Sequence, residues 1–117
     1  MTKTRTSEKT AVGGVIVESA AVLDDLLSEK DFQWQVRQLA QMYGWLEHAN
    51  YESRRSTPGV PDLLLVRPPR VIHAEIKASK GRTSASQKDW LAALSQCPVE
   101  VYLWRPCDFD AIVEILR

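Results

Sequence analysis

Cysteine is scarce and poorly placed for metal or disulfide chemistry. Cys97 and Cys107 are the only two, with no C-x-x-C spacing, and the two histidines, His48 and His73, do not cluster with them. A zinc centre therefore lacks its usual ligands, and two lone thiols define no disulfide. No segment approaches the ~20 consecutive apolar residues of a membrane span, so no membrane partner is expected. The start, Met1-Thr2-Lys3-Thr4-Arg5-Thr6, has no apolar run behind it; no signal peptide is expected, and the thiols are expected to stay reduced in a cytoplasm. Net charge is missing too. Fifteen Lys and Arg balance fifteen Asp and Glu, so composition alone announces no nucleic-acid partner. There is no repeat or low-complexity tract. At 117 residues the chain is long enough for one core and too short for two.

What is present is unevenly placed. Between Tyr51 and Trp90 eight cations (Arg54, Arg55, Arg67, Arg70, Lys77, Lys80, Arg82 and Lys88) face four anions (Glu52, Asp62, Glu75 and Asp89). That local positive excess fits an ordinary solvated surface and a surface for a polyanion equally well. Residues 1–14 are polar, rich in Thr and end in Gly13-Gly14, which reads as a flexible tail. Val15 to Leu27 carries an apolar set read as a helix that covers a sheet or meets a second copy. Ser28 then suits a helix cap, with Glu29 and Asp31 in the first turn. Phe32, Val36, Leu39, Ala40 and Tyr43 fall at helical spacing, and Gly44 suits the end. Glu29 and Gln33, four apart, share one face beside that stripe.

Trp45–Tyr51 reads as a strand, followed by a polar loop. Val60–Val66 reads as a central strand whose opening residues, Pro61 and Asp62, sit at its exposed mouth. Pro68-Pro69 forces a turn. Val71–Lys77 alternates, with Ile72, Ala74 and Ile76 on one face and His73, Glu75 and Lys77 on the other. If the turn centres on the two prolines, opposed residues in the hairpin have numbers totalling 137, which sets Asp62 against Glu75. Directly opposed Cβ atoms lie roughly 4.5–5.5 Å apart. Two like charges so close oppose folding, and a divalent cation taking an oxygen from each relieves them. Ser84-Ala85-Ser86-Gln87 fits a capping box for the next helix, which continues through Trp90, Leu91 and Leu94. Val99–Trp104 is a further strand. Pro106 and Asp108 open a last helix with Phe109, Ile112, Val113 and Leu116 inward.

The chemistry suggested is phosphodiester hydrolysis, which needs an activated water and neutralisation of charge on the phosphate. Asp62 and Glu75 suit the few carboxylates that Mg²⁺ takes, and the carbonyl of Ile76 is a further candidate ligand. Lys77 shares the face of Glu75 and could orient the water, act as base or stabilise the transition state. Gln87 is explained equally by its cap and by a site role. His48 has no evident partner, and His73 reads as structural. Trp90 and Trp104 read as core. Trp34 and Trp45 fit either stacking on unpaired bases or packing, with packing the expectation. Lys80, Arg82, Arg54, Arg55 and Lys88 flank the site as candidate phosphate contacts.

Gly59-Val60-Pro61-Asp62-Leu63, Ala74-Glu75-Ile76-Lys77 and Gly81-Arg82-Thr83-Ser84-Ala85-Ser86-Gln87, with Glu29 and Gln33 upstream, resemble the VRR-NUC family of the PD-(D/E)xK nuclease superfamily over about residues 28–117. The resemblance implies an α/β fold with a restriction-endonuclease-like core, a mixed sheet of about four strands flanked by helices; with the tail at 1–14 set apart, residues 15–117 are expected to form a single nuclease domain. It implies a Mg²⁺- or Mn²⁺-dependent endonuclease acting on DNA. It assigns Asp62 and Glu75 as metal ligands, Lys77 as the catalytic lysine, and Glu29 and Gln87 as supporting catalytic residues. Stand-alone members resemble resolvases, so a symmetric homodimer acting on branched DNA such as four-way junctions is expected, in a bacterial or phage-infected cytoplasm at the nucleoid. A non-catalytic DNA-binding module, or a nuclease for flaps, single strands or RNA, is the alternative. The resemblance does not cover the segment before residue 28.

Overall fold

In the computed structural model the described residues are 10–12, 15–17, 27–50 and 57–117. Two short strands, Thr10–Val12 (β1) and Val15–Val17 (β2), pair antiparallel. This corrects the helix expected from Val15 and takes Thr10–Val12 out of the expected tail. Val15, Ile16 and Val17 are three β-branched residues in succession, and such side chains favour extended backbone. Residues 1–9 and 18–26, with the rest of that expected helix, lie outside the described residues.

Helix α1 spans Glu29–Met42. Ser28 caps it as the sequence predicts, its Oγ accepting the Asp31 N–H at 3.1 Å. Phe32, Val36, Leu39 and Ala40 are its buried stripe. Gly44, at φ +82°, ends it in the left-handed region where a Cβ is costly. Four strands follow: β3 (Leu46–Ala49), β4 (Leu63–Arg67), β5 (Arg70–Ile76) and β6 (Glu100–Trp104), in the spatial order β3-β4-β5-β6. The first three are antiparallel neighbours and β6 runs parallel to β5, so the sheet is mixed. A parallel neighbour requires a crossover. Helix α2 (Ala85–Leu94) supplies it, and helix α3 (Phe109–Leu116) closes the chain after a short 3₁₀ turn.

One face of the sheet is the core. Leu63 and Leu65 of β4, Ile72, Ala74 and Ile76 of β5, and Trp104 of β6 bury their side chains with Phe32 and Val36 of α1 and Ile112 and Leu116 of α3. Each such large apolar side chain contributes about 1.5–3 kcal/mol on burial, so this layer dominates the fold's stability. It also leaves the other face of β5, with His73 and Glu75, for something else.

The turn end of the β4–β5 hairpin is tied to the C-terminus of α3. Arg67 Nη1 donates to the carbonyls of Tyr43 and Leu116, and Arg70 Nη1 donates to that of Ile115. Both guanidinium groups lie over the buried Trp45 ring, which donates its own Nε1–H to Leu116. Cations at a helix C-terminus meet its partial negative charge. Arg67 and Arg70 are thus structural, and removing them from the sequence count leaves six cations against four anions. The excess near the site is smaller than the sequence suggests. Trp90 is a second correction: it is 37 % exposed, and α2 buries none of its residues. The helix is held at its N-terminal end instead, by the polar ties described next.

Candidate metal centre

The β4–β5 ladder pairs Leu63 with Ala74 and continues to Arg67 with Arg70, the register expected from the Pro68-Pro69 turn. One step past its end, the same register sets Asp62 opposite Glu75. Asp62 Oδ2 accepts the Ile76 N–H at 2.8 Å, which fixes that carboxylate against the end of β5. The N–H and C=O of a strand residue point the same way, since opposed residues exchange both bonds. The Ile76 carbonyl therefore faces the Asp62 side as well.

Glu75 is 1 % exposed. Its Oε2 accepts a hydrogen bond from Gln87 Nε2 at 2.8 Å and lies 3.4 Å from the Lys77 ammonium. Gln87 forms the expected cap and also reaches Glu75. Its Oε1 accepts the Ser84 N–H and its backbone N–H donates to Ser84 Oγ, completing the capping box, while its amide nitrogen reaches Glu75. The cap of α2 and the orientation of the buried carboxylate are one structure. Burial, and then the negative charge of Asp62, raise the Glu75 pKa to about 7, against the pull of Lys77.

The donor set fits a hard divalent cation. Glu75 Oε1 is buried and has no hydrogen-bond partner among the described residues. An unpaired buried carboxylate oxygen is costly, and a second carboxylate beside it compounds the cost. A hard divalent cation would relieve both, and carboxylate and carbonyl oxygens suit such ions better than softer metals. No group of three or more His, Cys, Asp or Glu converges among the described residues.

Three residues to which the sequence assigned no role hold this arrangement. Asn50 donates its backbone N–H to the Asp62 carbonyl at 2.7 Å and its side-chain N–H to the Pro61 carbonyl at 2.8 Å. It pins the Pro-Asp step at both peptide units. Its Oδ1 also lies 3.2 Å from His48 Nε2, so His48 has a partner after all. Gly59, at φ +90°, packs so closely on the first turn of α2 that a Cβ there would sit 2.5 Å from the Ser86 carbonyl. Glycine sets the spacing between the Asp62 loop and the helix that carries Gln87. Arg105 Nη1 donates to the carbonyls of Ala78 and Gly81 at 2.7 and 2.8 Å, gathering the turn that follows Lys77. Only Gly59 had a local signal, its place beside Pro61-Asp62. Asn50 and Arg105 act on backbone atoms far along the chain, where side-chain pattern carries no information.

Asp62 also opens onto a cleft of about 340 Å³, lined by Glu29, Lys30, Gln33, Trp34, Arg37 and Asn50. Glu29 and Gln33 thus share a cleft with Asp62, on the solvent face of α1. Arg37 is held there by Glu47, with Nε 2.6 Å from Oε2. Lys80, Arg82 and Lys88 are exposed. Arg54 and Arg55 lie outside the described residues.

The signature of the VRR-NUC domain matches residues 18–106. No curated protein matches the chain. No helix among the described residues is long and apolar enough to cross a membrane. The matched span takes in the Pro61-Asp62 step, the Glu75-Ile76-Lys77 strand end, the Ser84–Gln87 cap and the four-stranded mixed sheet that brings them together. The chain belongs to the VRR-NUC family of PD-(D/E)xK-fold nucleases.

Proposed function

We propose that this protein is a Mg²⁺- or Mn²⁺-dependent endodeoxyribonuclease, with Asp62, Glu75 and the Ile76 carbonyl holding the ion. The observation that carries this reading is the buried Glu75 carboxylate, one oxygen unpartnered, with Asp62 against it and Lys77 3.4 Å away. A bound divalent ion supplies charge neutralisation at the scissile phosphate and acidifies water. Gln87 holds the Glu75 carboxylate in one orientation through its hydrogen bond to Oε2. Lys77, buried to 8 % exposure, brings an ammonium donor to the attacking water and to the phosphate oxygens that gain charge in the transition state. Water would add to phosphorus and give up one proton to a nearby base, one P–O ester bond would break, and the departing oxygen would take a proton from solvent. Glu29, which lines the same cleft as Asp62, would serve as the supporting residue that accepts a proton from the attacking water. Lys80, Arg82 and Lys88, with Arg54 and Arg55, serve as phosphate contacts.

The domain is taken to run from 15 to 117, because Ile112 and Leu116, past the family match, are fully buried in the core. The protein is taken to act as a homodimer on branched DNA, at the nucleoid in the cytoplasm, with two sites related by a two-fold axis cutting two strands. Met42 and Leu46, 74 % and 72 % exposed just before and at the start of edge strand β3, are among the exposed apolar residues that a second copy could cover. The test is cleavage of duplex, flap, single-stranded and four-way-junction DNA with Mg²⁺ or Mn²⁺, beside Lys77→Ala. Metal-dependent cutting lost in the variant is expected. Binding without cutting would favour a silent module, and equal cutting by the variant would sink the assignment.

A further inference from the structure

We infer that Trp34 is a base-stacking residue, and that the cleft beside Asp62 therefore takes a strand whose nucleobase is unpaired or turned out of its helix. The inference rests on the nuclease reading above. Trp34 is 61 % exposed and is one of the residues that line the cleft onto which Asp62 opens. Two buried tryptophans, Trp45 and Trp104, show what the core does with the same side chain: they are 4 % and 3 % exposed. Trp34 is not part of that core. It sits on the second turn of α1, opposite the Phe32–Val36–Leu39–Ala40 stripe, so the fold presents it and does not bury it.

Its neighbours define the occupant. Lys30 is four residues earlier, so its ammonium and the indole share one helix face. A cation beside an exposed aromatic face matches a nucleotide, which carries a phosphate beside a flat base. The cleft, at about 340 Å³, is of nucleotide size. A base inside an intact duplex is already stacked on both faces and offers none to Trp34. The residue thus discriminates by strand state and not by sequence, because every base has a π-face. Lys30 adds affinity that is independent of base identity.

The experiment measures binding of the full chain in the Lys77→Ala background with Mg²⁺, where bound DNA is not cut. Two probes of one sequence are used, a fork with unpaired arms and a blunt duplex, with 2-aminopurine in an unpaired arm of the fork and at the same sequence position in the duplex. Trp34→Ala and Trp34→Gln are expected to weaken fork binding about tenfold, the worth of one base–aromatic stack. Blunt-duplex binding should change less than about twofold, and Trp34→Phe should stay near the parent on both. The 2-aminopurine quenching seen with the parent should vanish in Trp34→Ala. Equal losses on both probes, unchanged fork binding, or conversion of a dimer to a monomer by Trp34→Ala would overturn the inference. Should the chain cut DNA with Mg²⁺ while Trp34 variants discriminate nothing, only the stacking role falls. Should it neither bind nor cut any of these DNAs, the nuclease reading falls with it.

Discussion

Two carboxylates on neighbouring strands live under opposite conditions. Glu100, on β6, is half-buried and fully served: Arg70 donates Nε and Nη2 at 2.7 and 2.8 Å, and the Tyr102 hydroxyl donates at 2.8 Å. That hydrogen-bonded guanidinium holds its pKa below the usual carboxylate value. Glu75, at the other end of the β5–β6 pair, is fully buried, keeps one oxygen unpartnered and faces another acid, so its pKa is pushed up to about 7. The first arrangement is complete as the chain folds. The second is complete only with a cation or a proton. Carboxylates with pKa values shifted this way cluster at functional sites.

The sharpest separation between the two is in activity. Glu75→Gln and Asp62→Ala are expected to lower cleavage by about a thousandfold or more, because each removes a ligand from a two-carboxylate site. Glu100→Gln should leave cleavage within about threefold. Initial rates on one cleavable DNA at saturating Mg²⁺ decide it, and a comparable loss in Glu100→Gln would erase the distinction.

Stability should move the other way. In metal-free buffer at pH 8, Glu75→Gln is expected to stabilise the protein by up to about 3 kcal/mol, since it removes a charge that burial and Asp62 disfavour. The folded pKa is raised above the unfolded value near 4.5. The native state thus binds the extra proton between about pH 4.5 and pH 7, and stability falls as pH rises through that window. The gain in Glu75→Gln should therefore be absent near pH 4 and complete above pH 7. Glu100→Gln should cost roughly 1 kcal/mol at pH 8, because its ion pair is part-exposed. Urea unfolding at several pH values reads both, and a Glu75→Gln variant less stable than its parent at pH 8 would break the comparison.

A smaller effect tests how the unfinished end is held. Gly59→Ala must push a methyl into the Ser86 carbonyl and adopt a positive φ. A loss of roughly 1–3 kcal/mol is expected, with reduced cleavage because Gln87 moves with Ser86. Unchanged melting and unchanged rate would mean that the Asp62 loop and α2 are not coupled.

Much of this was legible in the chain. The hairpin register followed from Pro68-Pro69 and the alternation of β5, and it put Asp62 beside Glu75 before any coordinates. The Ser84–Gln87 cap and the α1 stripe were legible because they are local patterns. The N-terminal strand pair was not: Val15–Val17 opens a run that also fits a helix, and a short apolar run does not declare its period. Trp90 misled because helical spacing does not say whether a sheet lies underneath. Asn50 and Arg105 were invisible, since their partners are carbonyls set by the fold. The double duty of Gln87 required seeing that the capped helix end abuts Glu75.

The account stands most directly on a calorimetric titration of the metal. Mn²⁺ added to the full chain at pH 6 and pH 8 is expected to bind at one site, more tightly at pH 8, with proton release at pH 6 as Glu75 ionises. Binding should vanish in Glu75→Gln. Failure to bind, or equal affinity in Glu75→Gln, would contradict a cation shared by Asp62 and Glu75.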